Sequence, residues 1–343
     1  MDSVITYSIY GFLIVSCSYL GEKGKSKALI TLSLFIIIVF WGFRKDIGWD
    51  YEGYVEIFKN AQYNYNWNIE LGYYYLNILF TSFKEGYIYV LLCATIITYL
   101  FLFKAFRQYK IIWLGVFFSL VYQFQFMAAN QVRQSIAISI FLYSLYFLIN
   151  KKYLIFCLII TLTSIFVHLS AITLFFAIPF SKINLSRRVW SIIIVLTYTL
   201  YIVGYFKFLG NYIFSIIPLP EQYARYLLGS RVNPEEVGFS IVQLCNVCIS
   251  LYIIWNYKNH KNSILLPIYL IGILMYMIFI EYHLFLRASF YFTYVNIILA
   301  SLVYKQSPKR GLPLMIFSGL LFILICSRET NMHGIIPYQS LLF

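Results

Sequence analysis

Charge is what this sequence has least of. Only 11% of its 343 residues are Asp, Glu, Lys or Arg, against roughly a quarter in an ordinary soluble domain. Acids are the scarcest, 13 against 26 Lys and Arg. With 61% hydrophobic residues and a mean hydropathy of +0.77, this excludes a soluble globular enzyme, a disordered chain and a coiled coil. The four histidines form no HxxxH or HExxH pattern, which argues against a histidine metal site. No Walker motif or Gly-rich nucleotide loop is present, so ATP-driven work by this chain alone is not expected. Cys245 and Cys248 form a CxxC, but there is no second pair. They lie one helical turn apart in an apolar run, the pattern of packing rather than of metal or redox chemistry. A basic leader region is missing too. Asp2 stands in its place, and Lys23, Lys25 and Lys27 follow the first apolar run, predicting an uncleaved first helix with its N-terminus outside.

What is present is a series of apolar runs, predicting an all-α polytopic membrane helix bundle. The runs are 3–20, 28–43, 86–103, 111–129, 135–150, 153–168, 169–180, 189–209, 239–256, 264–282, 288–304 and 311–326. That is about 11–12 spans in a single integral membrane domain, 1–343. The stretch 153–180 is too long for one span and short for two. Basic residues flank both its ends, which predicts a hairpin of two short helices divided at His168. The segment 71–83 is too short to span and reads as a re-entrant or surface helix.

A net charge of +13 suggests an anionic partner such as nucleic acid, until it is sorted by side. The loops assigned to the cytoplasm hold 16 of the 26 Lys and Arg and a single acid, Glu22. The charge is therefore a topology signal, and no nucleic-acid partner is expected. The other face carries two sizeable loops, 44–85 and 210–238, and both termini. Large outside loops place chemistry or recognition on that side.

Ionisable residues at membrane depth are costly and mark functional candidates. Arg44 to Tyr54 reads RKDIGWDYEGY, where Asp50, Glu52 and Glu56 gather beside a cation. The stretch suits a general base or a sugar-hydroxyl acceptor, or a solvated loop with a salt bridge. Glu70 is followed by Tyr73, Tyr74 and Tyr75; carboxylates with aromatic rings suit carbohydrate, and Tyr is also ordinary interface material. Arg133 sits in the polar run NQVRQS at the start of a span, placed to fork onto a phosphate or to snorkel. His168, in FVHLSAI, is a candidate base, phosphate donor or packed residue. Arg287 follows Glu281 by six residues, and Arg225 and Arg231 form a basic pair in the second loop. Arginines on an otherwise acidic face suit a lipid phosphate, and the acids and rings beside them suit a sugar.

At these residues the chain resembles the EpsG-like branch of the Wzy-type polysaccharide polymerases. The motifs run Arg44…Gly48-x-Asp50-Tyr51-x-x-Tyr54, Glu70-x-Gly72-Tyr73, Arg133-x-x-x-Ala137, His168-x-Ser170-Ala171 and Arg287 before an aromatic run. Together they cover about residues 40–300. The resemblance implies a GT-C-like, inverting, metal-independent glycosyltransferase with no cofactor. Its place would be the bacterial cytoplasmic (inner) membrane, with an active site facing the periplasm or outside. It would polymerise undecaprenyl-diphosphate-linked repeat units, as donor and acceptor, into O-antigen or capsular polysaccharide, with a chain-length regulator protein as a possible partner. Roles follow for the site residues. Arg133, Arg287 and Arg44 would bind the diphosphate, and His168, Asp50 or Glu70 would act on the attacking hydroxyl. Arg225, Arg231, Tyr54 and Tyr73 would hold substrate. Competing readings are an O-antigen ligase, a flippase for the same lipid-linked glycan and a membrane acyltransferase.

Overall fold

The computed structural model describes residues 3–61, 63, 69–216, 240–258, 263–327 and 334–342. Among these, every regular element is a helix, and one isolated bridge pairs Arg44 with Ser340. The protein is an all-α polytopic bundle. It forms two compact units, Met1–Phe175 with Ser307–Phe343, and Phe176–Gln306.

The first unit holds α1 (Ser3–Lys23), α2 (Lys27–Gly42), α3 (Tyr51–Ala61), α4 (Leu71–Leu79), α5 (Tyr87–Tyr109), α6 (Ile112–Val121), α7 (Phe124–Asn130), α8 (Val132–Ile149) and α9 (Tyr153–Phe166). The second holds α10 (Ala177–Phe180), α11 (Arg187–Ile202), α12 (Tyr205–Ile216), α13 (Ile241–Asn256), α14 (Leu265–Ile278), α15 (His283–Thr293) and α16 (Val295–Gln306). The last helix, α17 (Pro308–Cys326), returns to the first unit.

Among the described residues, five helices are long and apolar enough to cross a membrane: Ser3–Lys23, Tyr87–Tyr109, Val132–Ile149, Phe285–Gln306 and Pro308–Cys326. A sixth crossing is made if α6 and α7, bent by 64°, count as one span. Lys27–Gly42, Tyr153–Phe166, Leu169–Phe180, Ile241–Asn256 and Leu265–Ile278 are apolar but shorter. The apolar runs thus appear as helices, while several fall short of a full crossing in length. The run 189–209 is divided at Gly204, whose φ of +72° ends the helical path between α11 and α12. The expected second helix of the 153–180 hairpin differs in kind. Residues Leu169–Phe176 form a 3-10 helix, and only one α turn follows. A 3-10 helix rises ~2.0 Å per residue, so these eight residues reach about 16 Å, further than an α-helix of equal length.

In the first unit α5 packs along α8, and α1 along α2. Ser18 and Ser33 hydroxyls pair at 2.7 Å where α1 and α2 face each other. At one end of the unit Glu22 accepts the Trp113 N–H at 2.9 Å, so the start of α6 is capped by a carboxylate from the end of α1.

The helices α3 and α4 lie at the opposite end. The pattern of α3 is amphipathic. Tyr51, Tyr54, Val55, Phe58 and Ala61 are buried, while Glu52, Glu56 and Lys59 are exposed. Its buried face joins Ile69 and Tyr73 against Val90, Leu91 and Ala94 of α5 and Val132, Ile136 and Ile140 of α8. The 71–83 segment is thus a short helix followed by turns, packed on α3, α5 and α9.

Residues 334–342 close over the same end. Lys45 N–H donates to the Gln339 carbonyl at 3.1 Å, Gly48 N–H to Gly334 at 2.8 Å, and Leu341 N–H to Phe43 at 2.8 Å. Tyr7 and Tyr338 hydroxyls donate to the Ile335 and Phe40 carbonyls, each at 2.6 Å. Phe40 is sandwiched between Tyr10 and Tyr338, at 3.9 and 4.0 Å between ring centroids.

Candidate functional site

One carboxylate of the first unit, that of Glu70, meets both an arginine and a histidine. Glu70 precedes α4 in extended backbone, and its side chain does not cap that helix. It turns instead to three donors. Arg133 Nη1 donates to Oε2 at 2.5 Å, while His168 Nδ1 lies 2.9 Å and the Leu169 N–H 2.8 Å from Oε1. The side chains of Glu70, Arg133 and His168 are 10%, 20% and 21% exposed, so the cluster sits at a rim that solvent still reaches.

Local sequence builds this arrangement from three chain segments. Gly72 is the key to the first contact. A Cβ there would collide with the Phe166 carbonyl oxygen, so only glycine lets α4 lie against the end of α9. That approach puts Glu70 beside His168, which occupies the break between α9 and the 3-10 helix. The Leu169 N–H begins that 3-10 helix and has no partner within it, so Glu70 caps it from outside. Arg133 comes from the first turn of α8. A cation there opposes the helix dipole, and the Glu70 carboxylate offsets that cost.

Burial alone would raise the Glu70 carboxyl. The His168 hydrogen bond, the Arg133 charge and the Leu169 N–H outweigh it and hold the group low, at about 2. Glu70 is therefore ionised and fully occupied. It is poorly placed to take a proton and well placed to orient His168. With Nδ1–H donating to the carboxylate, the neutral form of the imidazole has its lone pair on Nε2; this tautomer follows from the partner.

Tyrosines complete the site. The Tyr73 ring lies under Arg133, 5.8 Å from the guanidinium carbon to the centroid. Tyr54 meets Tyr73 edge to face at 5.9 Å, and its hydroxyl faces the Val132 and Arg133 backbone N–H groups. Burial pushes both phenols up, so they stay neutral.

Five of the residues expected from sequence thus come together: Glu70, Arg133, His168, Tyr54 and Tyr73. Asp50 is their neighbour. Its backbone N–H donates to Asn130 Oδ1 at 3.0 Å, and its charge acts on Tyr54. Gly48, at φ +101°, lets this loop touch the Ala129 carbonyl at the end of α7. Two acids of the same loop do not join them. Glu52 and Glu56 lie on the exposed face of α3, so no carboxylate cluster surrounds Arg44. Arg44 is itself 2% exposed. Burial pulls its guanidinium below the usual range, and Nη1 donates to the Trp41 carbonyl at 2.7 Å. Arg287 is an exposed residue of α15 in the second unit. Burial raises the Glu281 carboxyl there, and the Lys207 charge opposes the rise. Arg225 and Arg231 lie outside the described residues.

The sequence reading missed the pairing of Glu70 with His168 and the closure by residues 334–342. The only sequence signal for the first is Gly72, a glycine inside an otherwise good helix.

No curated protein and no solved structure matches this chain. A family model does. The EpsG family model matches residues 27–340, which takes in Arg44, Glu70, Arg133, His168 and most of the C-terminal closure. Membership implies a glycosyltransferase-like polymerase acting in polysaccharide synthesis at the membrane. By the match over nearly its whole length, the chain belongs to the EpsG family.

Proposed function

We propose that this protein extends a glycan carried on undecaprenyl diphosphate by transferring it to the terminal sugar of a second lipid-linked repeat unit. The reaction takes place at the end of the bundle that carries the 44–85 loop, which the charge distribution puts on the outer face of the bacterial cytoplasmic membrane. The observation that carries the reading is the Glu70 carboxylate bridging Arg133 and His168.

The chemistry runs as a single displacement. The acceptor hydroxyl oxygen attacks the anomeric carbon as its proton passes to His168 Nε2. The bond from that carbon to the phosphate oxygen breaks, and the diphosphate leaves with the electron pair. One displacement inverts the anomeric centre. Glu70 keeps the imidazole in the required tautomer and stabilises the imidazolium that forms. Arg133, anchored through Nη1, offers Nη2 to the leaving diphosphate. Tyr73 and Tyr54 supply ring surface for a sugar. Arg287, Arg225 and Arg231 are further candidates for holding a lipid-linked substrate, and Asp50 for a sugar hydroxyl. Arg44, buried away from the rim, has no part in holding the diphosphate. A flippase needs no oriented base, so the Glu70–His168 pair favours a transferase.

The test is elongation by purified protein in lipid vesicles. Supplied with one undecaprenyl-diphosphate-linked repeat unit, it should form a ladder of longer lipid-linked glycans and release undecaprenyl diphosphate. Arg133→Ala should abolish the ladder. A wild-type protein that only moves the intact lipid across the bilayer contradicts the proposal.

A further inference from the structure

A second polar feature lies inside the first unit and has no part in the transfer described above. Arg44 is buried, and its hydrogen bond to Trp41 uses only Nη1. Its Nε and Nη2 have no partner. These two donors lie on one edge of the guanidinium, with their N–H bonds parallel, the geometry that grips a single acceptor from two points. Among the described residues no carboxylate lies within ion-pair distance of Arg44. A cation this deep without a counter-charge is costly.

Beside the guanidinium is a small cavity, lined also by Trp41, Thr95, Thr98, Tyr99 and Val132. It has room for about one water-sized species. The Tyr99 hydroxyl is buried and also has no partner. Thr95 and Thr98 direct their hydroxyl protons to the Leu91 and Ala94 carbonyls of their own helix, so they do not neutralise the arginine. Val132 brings the start of α8, with its positive dipole end, to the cavity wall. The groups left without partners here are thus donors, with positive potential beside them, around a space of about one water-sized species.

We propose that Arg44 holds one monoatomic anion, chloride or another halide, in this cavity. Nε and Nη2 of Arg44 and the Tyr99 hydroxyl bind it. A water molecule would satisfy the same donors but leave the buried charge unpaired; a halide, little larger, satisfies both needs. The bound ion neutralises the arginine and ties the turn after α2 to α5. This site is independent of the polymerase reading.

Thermal unfolding of the full-length protein in detergent tests it, in sodium chloride, sodium bromide and sodium gluconate at equal ionic strength. Both halides should raise Tm by about 3 °C or more over gluconate, in a saturating manner. Tyr99→Phe removes one donor to a charged acceptor and should raise the half-saturating halide concentration about tenfold or more. Arg44→Gln should abolish the halide response. Should that variant fail to fold, radiolabelled chloride bound to wild type should approach one ion per chain and weaken in Tyr99→Phe. Equal Tm in halide and gluconate, or a halide response unchanged by Tyr99→Phe, overturns the proposal and leaves water as the occupant.

Discussion

Replacing Glu70 by Gln keeps the shape of the side chain and removes its charge. The carboxylate serves three donors, Arg133 Nη1, His168 Nδ1 and the Leu169 N–H, with two oxygens. An amide has one oxygen and one NH2 group, so at least one of these donors must face another donor. The arginine has the strongest claim on the oxygen. The imidazole then accepts from the amide NH2 through Nδ1 and carries its proton on Nε2, where it no longer works as a base. A misplaced general base costs about 10²- to 10⁴-fold in rate. The loss should appear in kcat, because Arg133 and the tyrosine surface remain. Stability should also fall. The drop of the carboxyl from 4.5 to about 2 corresponds to about 3 kcal/mol if fully realised, and rim solvent screens part of it, leaving ~1–3 kcal/mol. The assay is elongation of lipid-linked repeat units by purified Glu70→Gln protein, with a thermal melt confirming that it is folded. A folded variant with kcat within about threefold of wild type refutes the orienting role.

Three further outcomes follow from the same geometry. Because the folded carboxyl lies below its ordinary value, the stability it contributes is complete above pH 4.5 and is lost as pH falls toward 2; acid titration of Tm should show this loss in wild type and not in Glu70→Gln. Gly72→Ala should push α4 off Phe166, cost about 1–3 kcal/mol and lower elongation at least tenfold, read by melting and by the ladder assay; full activity would break the link between that contact and the site. Tyr338→Ala removes the stack on Phe40 and the bond to its carbonyl, and should cost roughly 2–4 kcal/mol in thermal or denaturant unfolding, with unchanged stability counting against the closure by residues 334–342.

How much of this was legible in the sequence depends on the range of the interactions. The apolar runs are local patterns, and the structure places helices on them; the amphipathic face of α3 is equally local, yet that stretch read as part of the outside loop 44–85. His168 as a break between two apolar stretches was also legible, since the charges at both ends demand it. The 3-10 character of Leu169–Phe176 was not, because a uniformly apolar stretch has no period that separates it from an α-helix. Glu70 and Arg133 each stood out as ions near membrane depth. Their union with His168 spans 98 residues and depends on one missing Cβ at Gly72, which no periodicity records. Arg44 read as an interfacial cation because its neighbours in sequence are polar. Its burial comes from the turn folding under residues 334–342, almost 300 residues away.

The central claim is that His168, aimed by Glu70, takes the proton of the attacking sugar hydroxyl. Single-turnover transfer by His168→Gln protein, with donor and acceptor both lipid-linked and saturating, tests it most directly. The account predicts that this variant still binds the donor while transfer slows by about 10²-fold or more. Transfer at the wild-type rate would contradict it.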